Sequence, residues 1–141
     1  MGLDMYLNGR YKGESDFHKL IYWRKMNAIH NWFVENGRML TDNGKLVKAD
    51  SNFNCGEIPV DKTMLTDLLY DINTVITNHQ SASKVLPTVE GFFFGSTKYD
   101  DSYYDELKRT AERINELLHE DLDWGNLEND EVGGVFYTCW W

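Results

Sequence analysis

The sequence predicts an α+β fold, a single domain over residues 1–141, in which a small antiparallel or mixed sheet is covered by about three helices. Three observations predict it. Apolar and polar residues alternate near the start of the chain and an aromatic run closes it, both the mark of strands. Between them, three stretches repeat apolar residues at intervals of three and four, as helices with one buried side do. No internal repeat or Pro/Ser-rich linker divides the chain, and its length is the usual size of one domain.

Leu3, Met5 and Leu7 alternate with Asp4, Tyr6 and Asn8, a half-buried strand ending at Asn8-Gly9. Residues 9–16 form a polar loop. A first helix is expected over residues 16–36, where Tyr22, Met26, Ile29 and Phe33 recur at helical spacing and Gly37 supplies a left-handed C-cap. Residues 37–58 hold a loop and short strands around 45–47 and 57–60. Asp61 is the N-cap of a second helix reaching residue 78, with Met64, Leu65, Leu68, Leu69, Ile72, Val75 and Ile76 on its apolar side. The glycine-bracketed run 91–95 reads as an apolar strand. A third helix over 100–122 buries Tyr103, Leu107, Ala111, Ile114, Leu117 and Leu118, with acids at its start as the helix dipole prefers. Residues 135–141 form an aromatic strand, whose Trp140-Trp141 end either packs on the sheet or protrudes as an anchor.

Charge narrows the partners. The net charge is -9, yet residues 1–48 carry eight Lys/Arg against five Asp/Glu, and residues 49–141 carry six against eighteen. General nucleic-acid binding is therefore disfavoured, and only the first third of the chain would welcome an anion. Residues 99–131 hold twelve acids and three bases, either a solvated helix face or an acidic surface for a basic protein. Cys55 and Cys139 form no CxxC pair, so a disulfide scaffold is not expected. No apolar run approaches the ~20 residues that span a bilayer, and the first residues lack a leader pattern, which together predict a cytoplasmic protein off the membrane.

On the expected first helix, Trp23, Asn27, His30 and Asn31 are related by steps of three, four, seven or eight and share a surface, with Arg24 beyond. A ring, two amides, an imidazole and a guanidinium suit a planar polar ligand, because Arg forks onto carboxylates and Trp stacks on bases. The plainer alternative puts Trp23 and Trp32 in the core and leaves Arg24 and Lys25 solvated. Gly95-Ser96-Thr97 is either an anion-binding turn or plain capping, and Asp100 and Asp101 beside it favour capping. Asp4 and His30 form an acid/base pair if the first strand packs beside the first helix. His18, His30, His79 and His119 are scattered, neither cysteine has a partner at ligand spacing, and Asp100, Asp101 and Asp105 lack EF-hand spacing. No metal and no cofactor is expected.

Three blocks carry a resemblance. Gly2-Leu3-Asp4-Met5-Tyr6-Leu7, then Tyr22-Trp23-Arg24-Lys25-Met26-Asn27-Ala28-Ile29-His30-Asn31-Trp32-Phe33, then Leu86-Pro87-Thr88 with Gly91-Phe92-Phe93-Phe94-Gly95-Ser96-Thr97 and Tyr99-Asp100, resemble a family of small bacteriophage and prophage proteins. The resemblance implies a phage origin and action inside an infected cell, and it implies no reaction. The leading expectation is a non-catalytic protein that binds a host component in the host cytosol. Its target would be a host defence protein, which it inhibits, or a small nucleotide, which it sequesters. The alternative is an enzyme acting on a nucleotide or phosphate ester through His30 and Arg24, with Asp4 or Asp100. A virion assembly protein is less favoured, since no coiled-coil heptads or repeated strands appear.

Overall fold

A computed structural model describes residues 2–91 and 93–141. The two strands expected at the ends of the chain, β1 (Asp4–Gly9) and β6 (Val135–Trp140), lie side by side in register from Asp4↔Trp140 to Gly9↔Val135. Two shorter neighbours complete a four-stranded sheet of order β2-β1-β6-β5, with β2 at His18–Arg24 and β5 at Glu57–Pro59. Every pairing is antiparallel.

Because side chains alternate along a strand, the sheet has two unlike faces. Met5, Leu7, Ile21, Trp23, Ile58, Val135, Tyr137 and Cys139 are buried on one face. Helix α1 (Asn27–Asn36) covers it by stacking Phe33 on Tyr137, with ring centroids 4.2 Å apart and planes at 8°. Helix α4 (Asp101–Leu117) runs beside β2, where Trp23 Nε1 donates to Thr110 Oγ1 at 2.8 Å. Arg109 and Arg113 of α4 donate to the Tyr22 and Leu20 carbonyls, satisfying an edge strand that would otherwise present free acceptors. Helix α2 (Lys62–Thr77) packs on α4, and a short helix α3 (Ala82–Val85) follows it. A hairpin of β3 (Arg38–Leu40) and β4 (Leu46–Lys48) forms a second, two-stranded sheet. Among the described residues, no helix is long and apolar enough to cross a membrane.

The helix expected over 16–36 is half strand. Residues 18–24 pair with β1, Lys25 turns through a left-handed φ of 56°, and the helix begins only at Asn27. The register slips between Leu7 and Asn8, so Leu20 is an extra residue opposite β1, and Leu20 and Ile21 both reach the core. Gly37 does follow the helix, but in an extended conformation (φ -101°, ψ 170°). Its role is close approach: a Cβ there would stand 2.5 Å from Ile58 Cγ2 and 2.6 Å from the Phe33 carbonyl. The expected strand at 91–95 is absent where described, Phe92 lying outside the described residues. Gly95 instead takes a turn at φ 85°. The N-cap expected at Asp61 is present, its carboxylate accepting from Met64 N–H at 2.8 Å, and α4 is capped by Asp100, which accepts from Tyr103 N–H at 3.2 Å. Helix α4 stops at Leu117, and Leu122 is buried in an isolated bridge with Tyr11.

Candidate functional site

The residues expected to share one helical face are divided by the fold. Trp23 lies on β2, fully buried, its indole N–H taken by Thr110. Arg24, next in the strand, points to the opposite side and pairs with Asp4 at 2.8 Å. Asn27 is buried at the start of α1 and fully engaged: Nδ2 donates to the Phe94 and Ser96 carbonyls at 3.0 and 2.9 Å, and Oδ1 accepts from Val89 N–H at 3.0 Å. The single ligand face of Trp23, Arg24, Asn27, His30 and Asn31 is thereby corrected. Strand geometry sends Trp23 and Arg24 to opposite faces, and Asn27 clamps the 88–97 loop.

His30 and Asn31 remain together, lining a recess of about 190 Å³ beside Val34, Phe94 and Trp141. His30 is 2% exposed and its Nδ1 lies 2.6 Å from the Tyr137 hydroxyl. Burial pushes its imidazole down to about 4, so the ring is neutral at pH 7. The expected Asp4–His30 acid/base pair does not form. Asp4 is bound by the Tyr22 hydroxyl at 2.7 Å and by Arg24, and those bonds hold its carboxyl below the usual range. His30 and Arg24 therefore serve different sides of the sheet.

The Gly95-Ser96-Thr97 turn is occupied by the protein itself. The Ser96 carbonyl accepts from Asn27, Ser96 Oγ from Lys98 N–H, and the Thr97 carbonyl from the Thr88 hydroxyl. Asp100, not the turn, caps α4. Ser96 does stand with Arg24, Asn27 and Asp100 around a pocket of about 200 Å³, which also contains Lys25 and Lys98.

A larger cleft of about 620 Å³ lies between α1, α2 and the 126–128 segment. Its carboxylates include Asp61 and Asp71, and these already bind protein donors. Asp61 accepts from Met64 and Leu127 N–H, and Asp71 from Trp32 Nε1 at 2.8 Å. Among the described residues, no three His, Cys, Asp or Glu converge as a metal site would require. Cys55 and Cys139 are free thiols, the first exposed and the second buried.

The side of the sheet turned away from the helices has no counterpart among the sites the sequence predicts. It carries Asp4, Tyr6, Tyr22, Arg24, Phe136 and Trp140, with Phe17 beside them, and it is open to solvent: Trp140 is 62% exposed, Phe17 50% and Tyr22 39%. Tyr6 and Tyr22 pair across strands at 5.3 Å, and Phe17 leans on Phe136 at 6.1 Å. Lys19 Nζ sits 5.5 Å from both tyrosine rings, and the Arg10 guanidinium 5.1 Å from Phe17. The terminal tryptophans split the two expectations made for them. Trp140 protrudes, while Trp141 packs beneath, donating Nε1 to the Phe53 carbonyl at 3.0 Å. Comparison with family models, curated proteins and solved structures finds no match to this chain.

Proposed function

We propose that this protein is a phage-encoded, non-catalytic binding protein that docks a host protein in the host cytosol on the open face of its sheet. The observation that carries the reading is the composition and exposure of that face, with Trp140, Tyr22 and Arg24 displayed on paired strands and Phe17 just ahead of β2. Trp, Tyr and Arg are the residues in which binding energy concentrates at protein interfaces, and a rigid strand pre-arranges them at little entropic cost. Phage origin rests on the resemblance of three sequence blocks, residues 2–7, 22–33 and 86–100. They meet in space around Asn27, where Lys25 N–H bonds to Leu3, Leu3 N–H to Phe93, and Asn27 to Phe94 and Ser96.

Charge favours a protein over a nucleic acid. Arg24 is neutralised by Asp4 and Arg10 by Asp123 at 2.6 Å, leaving Lys19 on the face of a molecule with net charge -9. The test compares wild type with Trp140→Ala and Phe17→Ala. A host protein captured by the wild type is identified, purified and titrated directly. Each variant is expected to weaken Kd by roughly 10-fold or more while leaving the melting temperature unchanged. Equal binding by all three proteins overturns the proposed surface. Concentration-dependent self-association lost in Trp140→Ala would make the occupant a second copy, and tight binding of single-stranded oligonucleotides would make it a nucleic acid; either overturns the host-protein reading.

A further inference from the structure

Cys55 and Cys139 are far apart in sequence but share a backbone hydrogen bond, the Cys55 N–H donating to the Cys139 carbonyl at 2.8 Å. One such bond holds the two Cα atoms roughly 5–6 Å apart, inside the range of about 4.4–6.8 Å over which a disulfide closes without moving the backbone. The chain reaches this position by turning at Cys55, where φ is 63°, just ahead of β5. The Cys139 thiol lies against the segment that carries Cys55, its Sγ 3.8 Å from the Phe53 carbonyl. Burial pushes that thiol up to about 12; the Cys55 N–H and the Tyr137 hydroxyl draw it down, and the Cys55 thiol is near enough to raise it further.

The two thiols differ in access. Cys55 is exposed and its thiol makes one weak hydrogen bond, 3.5 Å to Asn54 Oδ1, whereas Cys139 is 2% exposed. A small disulfide in solution therefore reaches Cys55 first, and a turn about the Cys55 Cα–Cβ bond swings its sulfur without disturbing the backbone. We propose that Cys55 and Cys139 are a redox modification site, closed to an internal disulfide by a small-molecule disulfide of the glutathione type. The Cys55 thiolate attacks one sulfur of glutathione disulfide, breaking its S–S bond and releasing one glutathione thiolate. The Cys139 sulfur then attacks Cys55 Sγ in the mixed disulfide and expels the second glutathione. Each leaving thiolate takes up a proton, one from Cys55 and one from Cys139, so two protein thiols are oxidised and one glutathione disulfide is reduced. In a reducing cell the pair stays as two thiols, and the bond forms as the thiol pool is oxidised. Closing it staples the segment ahead of β5 to β6, a central strand of the sheet. The site is separate from the open sheet face, and neither assignment depends on the other.

The experiment equilibrates the whole chain with reduced and oxidised glutathione at graded ratios, quenches it with an alkylating agent, and reads the intact chain and its peptides by mass spectrometry. The folded wild type is expected to lose two hydrogens as a monomer and to yield one peptide pair joined through Cys55 and Cys139. Cys139→Ala is expected to stop at the glutathione adduct of Cys55, and Cys55→Ser to stay reduced. Because the fold holds the two Cα atoms in range, the equilibrium constant for the bond should be at least ~10-fold larger in the folded chain than in concentrated urea. By linkage the oxidised chain is then the more stable in urea unfolding, by the same factor. The proposal is overturned if the folded wild type stops at the glutathione adduct, if it dimerises through Cys55, or if the bond forms as readily in urea. These outcomes are read on the wild type, so a variant that fails to fold leaves the test intact.

Discussion

Asn27 illustrates how much one buried amide can hold. Its three bonds satisfy Val89 N–H and the Phe94 and Ser96 carbonyls, fixing a loop that has little regular structure of its own. Asn27→Leu keeps the volume roughly constant but leaves those groups without partners, at a cost of roughly 3 kcal/mol or more. Urea unfolding checks the magnitude, and hydrogen exchange at Val89 checks the location. A loss below ~1 kcal/mol would mean that the loop is anchored elsewhere. His30 gives a second prediction, with a defined sign. Its pKa falls from 6.5 to about 4 on folding because burial disfavours the charged ring. Above pH 6.5 both states are neutral and the stability is complete. As pH drops from 6.5 toward 4, the unfolded chain takes up a proton that the native ring refuses, and roughly 3 kcal/mol is lost. Asp4 acts in a separate window: its carboxyl is depressed below 3.8, so its contribution is lost only at lower pH. Unfolding free energies at pH 7 and 4.5 should therefore differ much less in His30→Phe than in wild type.

The joint between β2 and α1 shows why parts of the fold were hidden in the sequence. Tyr22, Met26, Ile29 and Phe33 satisfy a helical period, and neither Gly nor Pro stands at the break. The chain turns instead at Lys25, a residue with no special liking for φ 56°. The competing signal was Ile21-Tyr22-Trp23, alternating and strand-favouring, but too short to outweigh twelve residues of helical spacing. By contrast, α2 and α4 were legible because a capping aspartate and a long apolar stripe agree, as were β1 and β6 at the chain ends. The candidate site was legible only in part. His30 and Asn31 do share a recess, whereas Phe94 and Trp141, far away in sequence, complete it. The open face is not legible in the sequence because both faces of β6 carry aromatics, Tyr137 inside and Phe136 and Trp140 outside, so alternation gives no contrast there. Two substitutions test the joint and the helix end. Lys25→Gly removes the left-handed penalty and should be stabilising by roughly 0.5–1 kcal/mol. Gly37→Ala drives a Cβ against Ile58 and the Phe33 carbonyl and should cost roughly 1–3 kcal/mol. Equilibrium urea unfolding of both variants reads the two signs directly.

At the scale of the molecule, the first and last strands are neighbours at the centre of the sheet. β6 pairs with β1 along six residues and with β5 on its other side, while Tyr137 stacks on Phe33 and bonds to His30. The core is therefore completed by β6, on whose Tyr137 the Phe33 ring of α1 stacks, while Trp23 of β2 supplies the rest of that seat. Non-local pairing of this kind must meet a large loop-closure entropy before any contact offsets it. A chain ending at Gly134 lacks the strand that joins β1 to β5. It is expected to retain helical far-ultraviolet signal from α2 and α4, lose its near-ultraviolet aromatic signal, and exchange the β1 amides without protection. A chain lacking only Trp141 keeps β6 whole and gives up the bonds to Phe53 and Asn54, so it should fold cooperatively with reduced stability. If the chain ending at Gly134 showed protected β1 amides and native near-ultraviolet intensity, closure by the last strand would not be what holds the sheet together.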